Sequence, residues 1–233
     1  MTVPRGIVIG SSGGIGSALQ RGLERRGFAV TGLSRSPGAV ERPSIDITDE
    51  HSIEEAAARL RDHAPFSHIL LATGLLHAGE IMPEKAIRDL NQAALMRLFA
   101  VNAVGPALVA KHFVPLLPRN GRCLFAALSA RVGSIGDNRL GGWFGYRASK
   151  AALNMLIKTL AIELARTRPE AICVALHPGT VDTGLSKPFQ KGVPPGRLFS
   201  ADQSAGHLLD VMDRLTPADT GRCFAWDGAE ITP

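Results

Sequence analysis

The chain has 233 residues, 45% of them hydrophobic and 20% charged, which suits a single α/β domain with a substantial core. Its formal net charge is +5, but it has neither the basic run nor the aromatic platform of nucleic-acid-binding proteins, so we expect no nucleic-acid partner. Its three cysteines are far apart and lack metal-binding spacing, which argues against a disulfide framework and a metal site. Without a long apolar run or a signal-peptide pattern, we expect a cytoplasmic protein with no membrane partner.

Short β-branched runs alternate along the chain with longer segments of helical period, the signature of repeated βαβ units. Strands are predicted at 6–10, 28–33, 45–47, 67–72, 122–129, 171–177 and 222–226. Helices are predicted at 15–26, 51–63, 83–104, 106–113, 144–168 and 201–214, with a break at Gly105-Pro106. The predicted fold class is α/β, with a doubly wound parallel sheet of about seven strands, helices on both faces, and one domain over residues 1–233.

A glycine-rich turn, Gly10-Ser11-Ser12-Gly13-Gly14-Ile15-Gly16, joins the first strand to the first helix. Glycines let the backbone turn sharply and approach a pyrophosphate, whose charge then meets the helix N-terminus. The spacing differs from the commoner dinucleotide pattern Gly-x-Gly-x-x-Gly, and such a turn by itself could equally be a plain loop. Its place between a strand and a helix at the start of the chain favours a phosphate cradle.

The second strand is followed by Ser34 and Arg35, at the position where many NAD-binding proteins carry an acidic residue for the ribose diol. A carboxylate would repel a 2′-phosphate, whereas a hydroxyl beside a guanidinium can bind it. We therefore predict NADP(H) rather than NAD(H). The alternative is that Arg35 is a solvated loop arginine.

Tyr146 and Lys150 are four positions apart at the start of a predicted helix, so their side chains project from one face. An ammonium group beside a phenol favours the phenolate, and we expect Lys150 to lower the pKa of Tyr146 and make it a usable general acid–base. The pair alone would also fit an ordinary helix surface.

Together these features resemble the short-chain dehydrogenase/reductase family over nearly the whole chain. The residues that carry the resemblance are Gly10, Gly14, Gly16, Asp46, Ile47, Asn102, Ser129, Tyr146, Lys150 and the segment 178–183. Within the family, segments 129–139 and 146–155 are most similar to the C-factor and sniffer-like carbonyl reductase branch. The resemblance implies a Rossmann-type fold and an NADP(H)-dependent oxidoreductase that reduces a small carbonyl compound to an alcohol.

The resemblance also implies a role for each of four catalytic residues. Tyr146 would donate a proton to the carbonyl oxygen, and Lys150 would hold the nicotinamide ribose and lower the pKa of Tyr146. Ser129 would hydrogen-bond the carbonyl. Asn102 would hold a water that links Lys150 to solvent, and it could also cap backbone groups where the long helix breaks.

The cofactor-binding residues implied by the glycine turn, Arg35 and the resemblance lie at the ends of several predicted strands. They are Gly10, Ser12, Gly13, Gly14, Ile15, Gly16, Ser34, Arg35, Asp46, Ile47, Ala72, Thr73, Gly74, Tyr146, Lys150, Pro178, Gly179, Val181 and Thr183. Asp46 alone could equally be a helix-start or turn residue. The segment 71–74, Leu-Ala-Thr-Gly, departs from the family's Asn-Asn-Ala-Gly, and Thr73 could replace part of the missing hydrogen bonding.

Three further expectations concern the surroundings of the site. The loop 185–200 is a candidate lid whose apolar underside would be Phe189 and Leu198, with a static surface loop as the alternative. Trp143 and Phe144 could wall the substrate site or seal a loop against the core. The apolar surface of the helix after Tyr146 predicts a homodimer or homotetramer. The alternative function is a nucleotide-binding signalling or regulatory protein of the C-factor type, with little dependence on turnover.

Overall fold

The computed structural model describes residues 3–35 and 44–233, in which strands and helices alternate. The strands are β1 (Arg5–Ile9), β2 (Ala29–Leu33), β3 (His68–Leu71), β4 (Cys123–Leu128), β5 (Ala171–His177), β6 (Thr180–Val181), β7 (Leu198–Phe199) and β8 (Cys223–Ala225). The α-helices are α1 (Gly14–Arg25), α2 (Glu50–Ala58), α3 (Gln92–Phe99), α4 (Gly105–Phe113), α5 (Phe144–Thr167) and α6 (Ala201–Arg214). A π-helical segment, Ala100–Val104, joins α3 to α4.

The main sheet has the strand order β2-β1-β3-β4-β5-β8, and every pairing in it is parallel. Strands covered by helices on both faces need apolar side chains on both sides, so they read as continuous apolar runs. Ile7, Val8 and Ile9 of β1 are all fully buried. The predicted doubly wound parallel sheet is therefore confirmed.

Helices cover both faces of this sheet, and each face has its own apolar core. On one face, Leu19 of α1 and Leu208 of α6 belong to the same buried cluster as Val8. On the other face, Phe113 of α4 and Ile157 of α5 pack in a second cluster. The two cores hold the sheet rigid, so the carboxyl ends of its strands form a fixed edge on which a site can be built.

The strand order reverses direction beside β1. The chain first moves outward to β2 and then returns across β1 to β3, β4 and β5. In open parallel sheets, ligands bind in the crevice outside the carboxyl ends of the strands at such a switch point. The strand order therefore predicts a ligand site at the segments that follow β1 and β3.

The predicted strand at 45–47 does not form, and within residues 3–35 and 44–233 the main sheet has six strands rather than about seven. Ser34 and Ser44 make an isolated bridge there, with Ile45 N donating to Ser34 O at 3.0 Å. The Asp46 carboxylate accepts hydrogen bonds from Thr48, which turns the chain before a ladder can develop. Outside the main sheet, the short strands β6 and β7 pair with each other.

The helix predicted to start at Pro83 begins at Gln92 instead. Asn91 caps it, since its side chain accepts a hydrogen bond from Ala94 N at 3.0 Å. The preceding segment is held in other conformations because Asp89 accepts from Ala86 N, and the Glu84 carboxylate accepts from Gly145 N on α5.

The break predicted at Gly105-Pro106 is a change of helical register rather than an interruption. Pro106 has no N–H to donate to the carbonyl of Asn102 four residues earlier, and Gly105 N bonds to Ala100 O five residues back. The stretch Gln92–Leu116 also has the length and composition of a membrane span, contrary to our expectation that no segment does. Its residues Val109 and Phe113 are fully buried in the core beside the sheet.

Candidate active site

A cavity of about 280 Å³ lies at the switch point, at the carboxyl ends of β1, β2 and β3. It brings together many of the residues predicted to bind a cofactor. Those lining it are Gly10, Ser12, Gly13, Ser34, Arg35, Asp46, Ile47, Ala72, Thr73 and Gly74. The predicted adenosine and phosphate ends of the site thus share one pocket.

The glycine turn is shaped by close backbone approach. Gly10 has φ +89°, and a β-carbon there would lie 2.8 Å from Ala72 O. A β-carbon on Gly16 would lie only 2.1 Å from Gly10 O, so α1 can start this close to β1 only with glycine at that position.

The N-terminus of α1 is open to an anion. Its N-cap, Gly13, has no side chain to bond the first N–H groups, and its first turn contains no acidic residue. Helix N–H groups left without side-chain partners carry partial positive charge and bind phosphate. The turn therefore has the geometry of a phosphate cradle.

Charged groups meet at the outer end of the cavity. The Asp46 carboxylate accepts hydrogen bonds from Thr48 N at 2.9 Å and Thr48 Oγ1 at 2.7 Å, and these bonds lower its pKa. Arg35 and Arg97 lower the pKa of this carboxyl further. Asp46 therefore serves as a turn residue and also lines the pocket.

Arg97 was not among the predicted site residues, yet it lines the cavity from α3. It lies one helical turn before Val101, which lines the same cavity and directly precedes Asn102. Its place on the cavity depends on how α3 packs against this edge of the sheet, so no local sequence signal identifies this second guanidinium.

Thr73 does not take over the hydrogen bonds of the family's asparagine. Its Oγ1 is buried and has no hydrogen-bond partner among the described residues, although the residue lines the cavity. An unpartnered buried hydroxyl costs free energy. A ligand atom in this pocket is a natural partner for it.

Tyr146 and Lys150 lie one turn apart on α5, with exposures of 8% and 2%. The Lys150 ammonium donates to Leu128 O at the end of β4 at 2.8 Å, and its Nζ lies 5.9 Å from the centre of the Tyr146 ring. Gly74 connects this pair to the cavity, because a β-carbon there would lie 3.6 Å from Lys150 Nζ. The predicted pair therefore sits at the inner end of the same crevice.

Burial sets the acidities of this pair. It raises the pKa of Tyr146 to about 12 and lowers the pKa of Lys150 to about 8, because removing either group from water disfavours its charged form. The expected lowering of the Tyr146 pKa by Lys150 is not found. At neutral pH the pair is a neutral phenol beside an ammonium group.

The side chain of Asn102 braces the loop after β3 against α5. Its Oδ1 accepts from Leu75 N and its Nδ2 donates to Leu75 O, both at 2.8 Å. Nδ2 also contacts Ser149 Oγ at 3.0 Å. These bonds go to the loop after β3 and to α5 rather than to backbone groups at the helix break, so the capping role is not what the side chain does, and the role in holding a water stays a prediction.

Ser129 directly follows β4 and is 4% exposed. Its backbone N–H donates to Leu176 O at 2.8 Å, and its hydroxyl donates to Asn154 Oδ1 at 2.7 Å. Asn154 lies on α5, one turn beyond Lys150, and was not among the predicted site residues.

An aromatic wall, formed by Trp143 and Phe189, borders Tyr146. The Trp143 ring lies edge-on to Tyr146 at 6.2 Å and to Phe189 at 5.1 Å between centroids. Trp143 has φ +53°, and its N–H donates to the backbone carbonyl of Glu84. The neighbouring Phe144 is 36% exposed. Trp143, rather than Phe144, therefore belongs to the aromatic wall.

The segment after β5 crosses back toward the glycine turn. Gly179 has φ +77°, and a β-carbon there would lie 2.7 Å from the Phe199 ring. Thr183 reaches Gly14, where a β-carbon would lie 2.8 Å from its Cγ2. Val181 is buried in β6, with its carbonyl bonded by the Ser186 hydroxyl. The remaining predicted residues, Ile15 and Pro178, flank these two turns.

Comparison with known proteins agrees with this arrangement. Residues 6–193 match the family described as short chain dehydrogenase. The chain is 30% identical over 231 residues to 1-hydroxy-2-glutathionyl-2-methyl-3-butene dehydrogenase of Rhodococcus sp. (strain AD45), covering 95% of this chain and 96% of that protein. It is 37% identical over 147 residues to the C-signal of Myxococcus xanthus, covering 63% of this chain and 82% of that protein.

Among solved structures, the chain superimposes on NADPH-bound carbonyl reductase from chicken fatty liver with a TM-score of 0.83. The match covers 100% of both chains at 23% sequence identity, and at that identity it demonstrates a shared fold. The resemblance stated from the sequence motifs is confirmed by these matches.

Proposed function

Because this chain belongs to the short-chain dehydrogenase family, we propose that it is an NADP(H)-dependent oxidoreductase that reduces a small carbonyl compound to an alcohol. The observation that carries the proposal is the buried pair Tyr146 and Lys150 on one turn of α5, next to a glycine-lined cavity at the switch point. A pure nucleotide-binding protein has no need of a phenol and an ammonium group at that place.

The residues present fit a phosphorylated dinucleotide. The open N-terminus of α1 suits a pyrophosphate, and the Thr73 hydroxyl lacks a partner within the described residues. Arg35 and Arg97 line the outer end, where they suit a 2′-phosphate. In this proposal the predicted cofactor-binding residues hold NADP(H), and NADPH is the ligand of the structurally similar carbonyl reductase.

A bound reduced nicotinamide cofactor would supply hydride to the carbonyl carbon, and the side chains of this chain act on the carbonyl oxygen. Tyr146 donates its phenolic proton to that oxygen, and the Ser129 hydroxyl fixes its position. Lys150 binds the ribose hydroxyls as an ammonium, since neutral pH lies below its pKa of about 8. Asn102 holds the loop after β3 and, in this proposal, a water through which Tyr146 and Lys150 regain a proton.

The acidity of Tyr146 supports the reducing direction. A pKa of about 12 keeps the phenol protonated at neutral pH, which a proton donor requires. An alkoxide is a stronger base than a phenolate, so it can still take this proton. The relative from Rhodococcus is named for the dehydrogenation of an alcohol, the reverse reaction. A base for that direction would need an ionised Tyr146.

Within the same proposal, residues 1–233 act as one dinucleotide-binding oxidoreductase domain in which 185–200 is a lid. Phe189 in this segment contacts Trp143 and His77 beside the site. His77 Nε2 lies 3.1 Å from Gly184 O, which ties the base of the segment to the loop after β3. Leu198, the other residue expected under the lid, is 38% exposed.

The similarity to the C-signal favours a second candidate, a nucleotide-binding signalling protein that depends little on turnover. That candidate keeps the cavity but gives Tyr146 no chemical task. The two candidates therefore predict different effects of removing the Tyr146 hydroxyl. The oxidoreductase would lose its activity, whereas the signalling protein would not depend on that group.

The deciding experiment follows NADPH oxidation against a panel of aldehydes, ketones and quinones, with wild type and Tyr146→Phe. We expect the variant to lose at least ~100-fold in kcat, the range expected for removing a general acid. NADPH binding, measured by calorimetry, is the control and should be nearly unchanged. Equal rates for the two proteins would favour the signalling candidate.

A further inference from the structure

The hydroxyl of Ser129 is engaged by a residue that the catalytic set does not include. Ser129 Oγ donates to Asn154 Oδ1 at 2.7 Å, the usual length of an O–H···O hydrogen bond. Ser129 is 4% exposed, so its hydroxyl has little access to water. The side chain at position 154 therefore determines the direction of the Ser129 O–H bond.

Asn154 belongs to the same helix edge as the catalytic pair. Tyr146, Lys150 and Asn154 follow at intervals of four residues on α5, so their side chains stand along one side of the helix. The bond from Lys150 Nζ to Leu128 O and the bond from Ser129 to Asn154 attach α5 to consecutive residues at the end of β4. The distance between Ser129 and Tyr146 is thereby fixed by two neighbouring attachments.

The backbone beside Asn154 is built for close contact. A β-carbon on Gly133 would lie 3.1 Å from Asn154 Nδ2 and 2.9 Å from the Lys150 carbonyl carbon. The turn Arg131–Gly133 can therefore pack on α5 at this level only with glycine at position 133. Without a β-carbon at position 133, the turn leaves room beside the Asn154 amide.

An amide suits this position better than the other short polar side chains. It can accept from Ser129 through Oδ1 or, turned over, donate through Nδ2, and it brings no net charge close to Lys150. A carboxylate could only accept, and it would hold the serine proton away from a substrate carbonyl.

We propose that Asn154 is a positioning residue for the Ser129 hydroxyl: its amide accepts the serine proton in the free protein and turns over when substrate binds, so that Nδ2 donates to Ser129 Oγ and the serine proton is free for the substrate carbonyl. The inference rests on the proposed function, since it assigns Asn154 a task only through Ser129. Asn154 itself touches neither substrate nor cofactor in this proposal.

A double-mutant cycle on kcat for carbonyl reduction tests the proposal with Asn154→Ala, Ser129→Ala and the double variant. We expect Asn154→Ala alone to lower kcat about 5- to 10-fold, the equivalent of roughly one hydrogen bond, with KM for NADPH unchanged. In the Ser129→Ala background the same change should have almost no further effect. We expect Asn154→Asp to be at least as impaired as Asn154→Ala.

Two results overturn the proposal: an equal loss from Asn154→Ala with and without Ser129, or no loss in the single variant. Asn120→Ala, at an exposed asparagine in the turn before β4, is the matched control and should leave kcat unchanged. A purely structural contact would lower thermal stability without the non-additive effect on kcat.

A second readout needs no turnover. The side-chain amide signals of Asn154 in an NMR spectrum, identified by their loss in Asn154→Ala, should shift in Ser129→Ala and stay in place in Ser134→Ala, whose hydroxyl bonds to Thr232. If wild type oxidises no NADPH with any carbonyl compound, the proposed function fails while the amide signals still report the contact. Unshifted signals in Ser129→Ala contradict the contact and the inference with it.

Discussion

Arg35 and Arg97 approach the outer end of the cavity from two different elements, the end of β2 and α3. Both lower the pKa of the Asp46 carboxyl, which places positive charge close to that carboxylate. Arg35 was identified from its position after the second strand, because strand ends in parallel sheets face the ligand. Arg97 required knowledge of where α3 lies against that edge.

We expect Arg35→Asp to lower the ratio of kcat/KM for NADPH to that for NADH by about 100-fold, because it replaces a charge-assisted hydrogen bond by a repulsion. Steady-state kinetics with both cofactors measures this ratio. Arg88→Asp is the control, since Arg88 is exposed and does not line the cavity. Equal ratios in the two variants would mean that Arg35 is only a solvated loop residue.

For Tyr146 and Lys150, the sequence predicts their relative positions but not the pKa of the tyrosine. Spacing alone placed Tyr146 and Lys150 on one face of a helix, because helical periodicity is local. The direction of the Tyr146 pKa was wrong, because burial is a tertiary property and outweighs a neighbouring charge that is not in contact. Asn154 was missed for a similar reason, since its partner Ser129 comes from a distant strand.

At the scale of elements, the glycine turn is the part in which the sequence specifies the geometry most tightly. Gly16 lies in α1 against the backbone carbonyl of Gly10, which cannot move without displacing β1. Gly206 lies in α6, and among the described residues a β-carbon there would meet no atom within 4 Å outside its own stretch of helix. A side chain at position 16 would therefore clash with the Gly10 carbonyl that follows β1, whereas position 206 has space for one.

We expect Gly16→Ala to lower the free energy of unfolding by about 1–3 kcal/mol through overpacking. Gly206→Ala should raise it by about 0.5–1 kcal/mol, because alanine has the higher helix propensity. Urea unfolding of both variants measures the two changes. A stable Gly16→Ala with unchanged NADPH binding would contradict the close approach of α1 and β1.

Element boundaries were predictable where local signals decide them and not where distant contacts do. The helices at 144–167 and 201–214 agree closely with their predicted ranges, since Ser200 caps α6 with its side chain and the periodicity is unbroken. Residues 83–91 have helical composition, but two hydrogen bonds hold them in other conformations. The Glu84 carboxylate accepts from Gly145 N of α5, and the Asp89 carboxylate accepts from Ala86 N. The predicted strand at 45–47 failed because Asp46 and Thr48 form a turn.

At the scale of the whole molecule, the alternation of strands and helices predicted the doubly wound sheet, and the strand order places the switch point at β1. Assembly and location stay predictions. A second cavity of about 510 Å³ lies between α4 and α5 and is lined by Leu156 and Leu160, and Met155 beside it is 66% exposed. This surface supports the expected association of subunits through the helix that carries Tyr146.

The account depends on Tyr146 meeting its substrate as a neutral phenol. Tyr146 is the only tyrosine in the chain, so tyrosinate absorbance during a pH titration reports on this residue alone, with Tyr146→Phe as the baseline. Because burial disfavours the phenolate, the folded protein should show almost no tyrosinate at about pH 10, where a free tyrosine is half ionised. Half-ionisation at or below about pH 8 would contradict the account, since Tyr146 would then be poised as a base rather than as a proton donor.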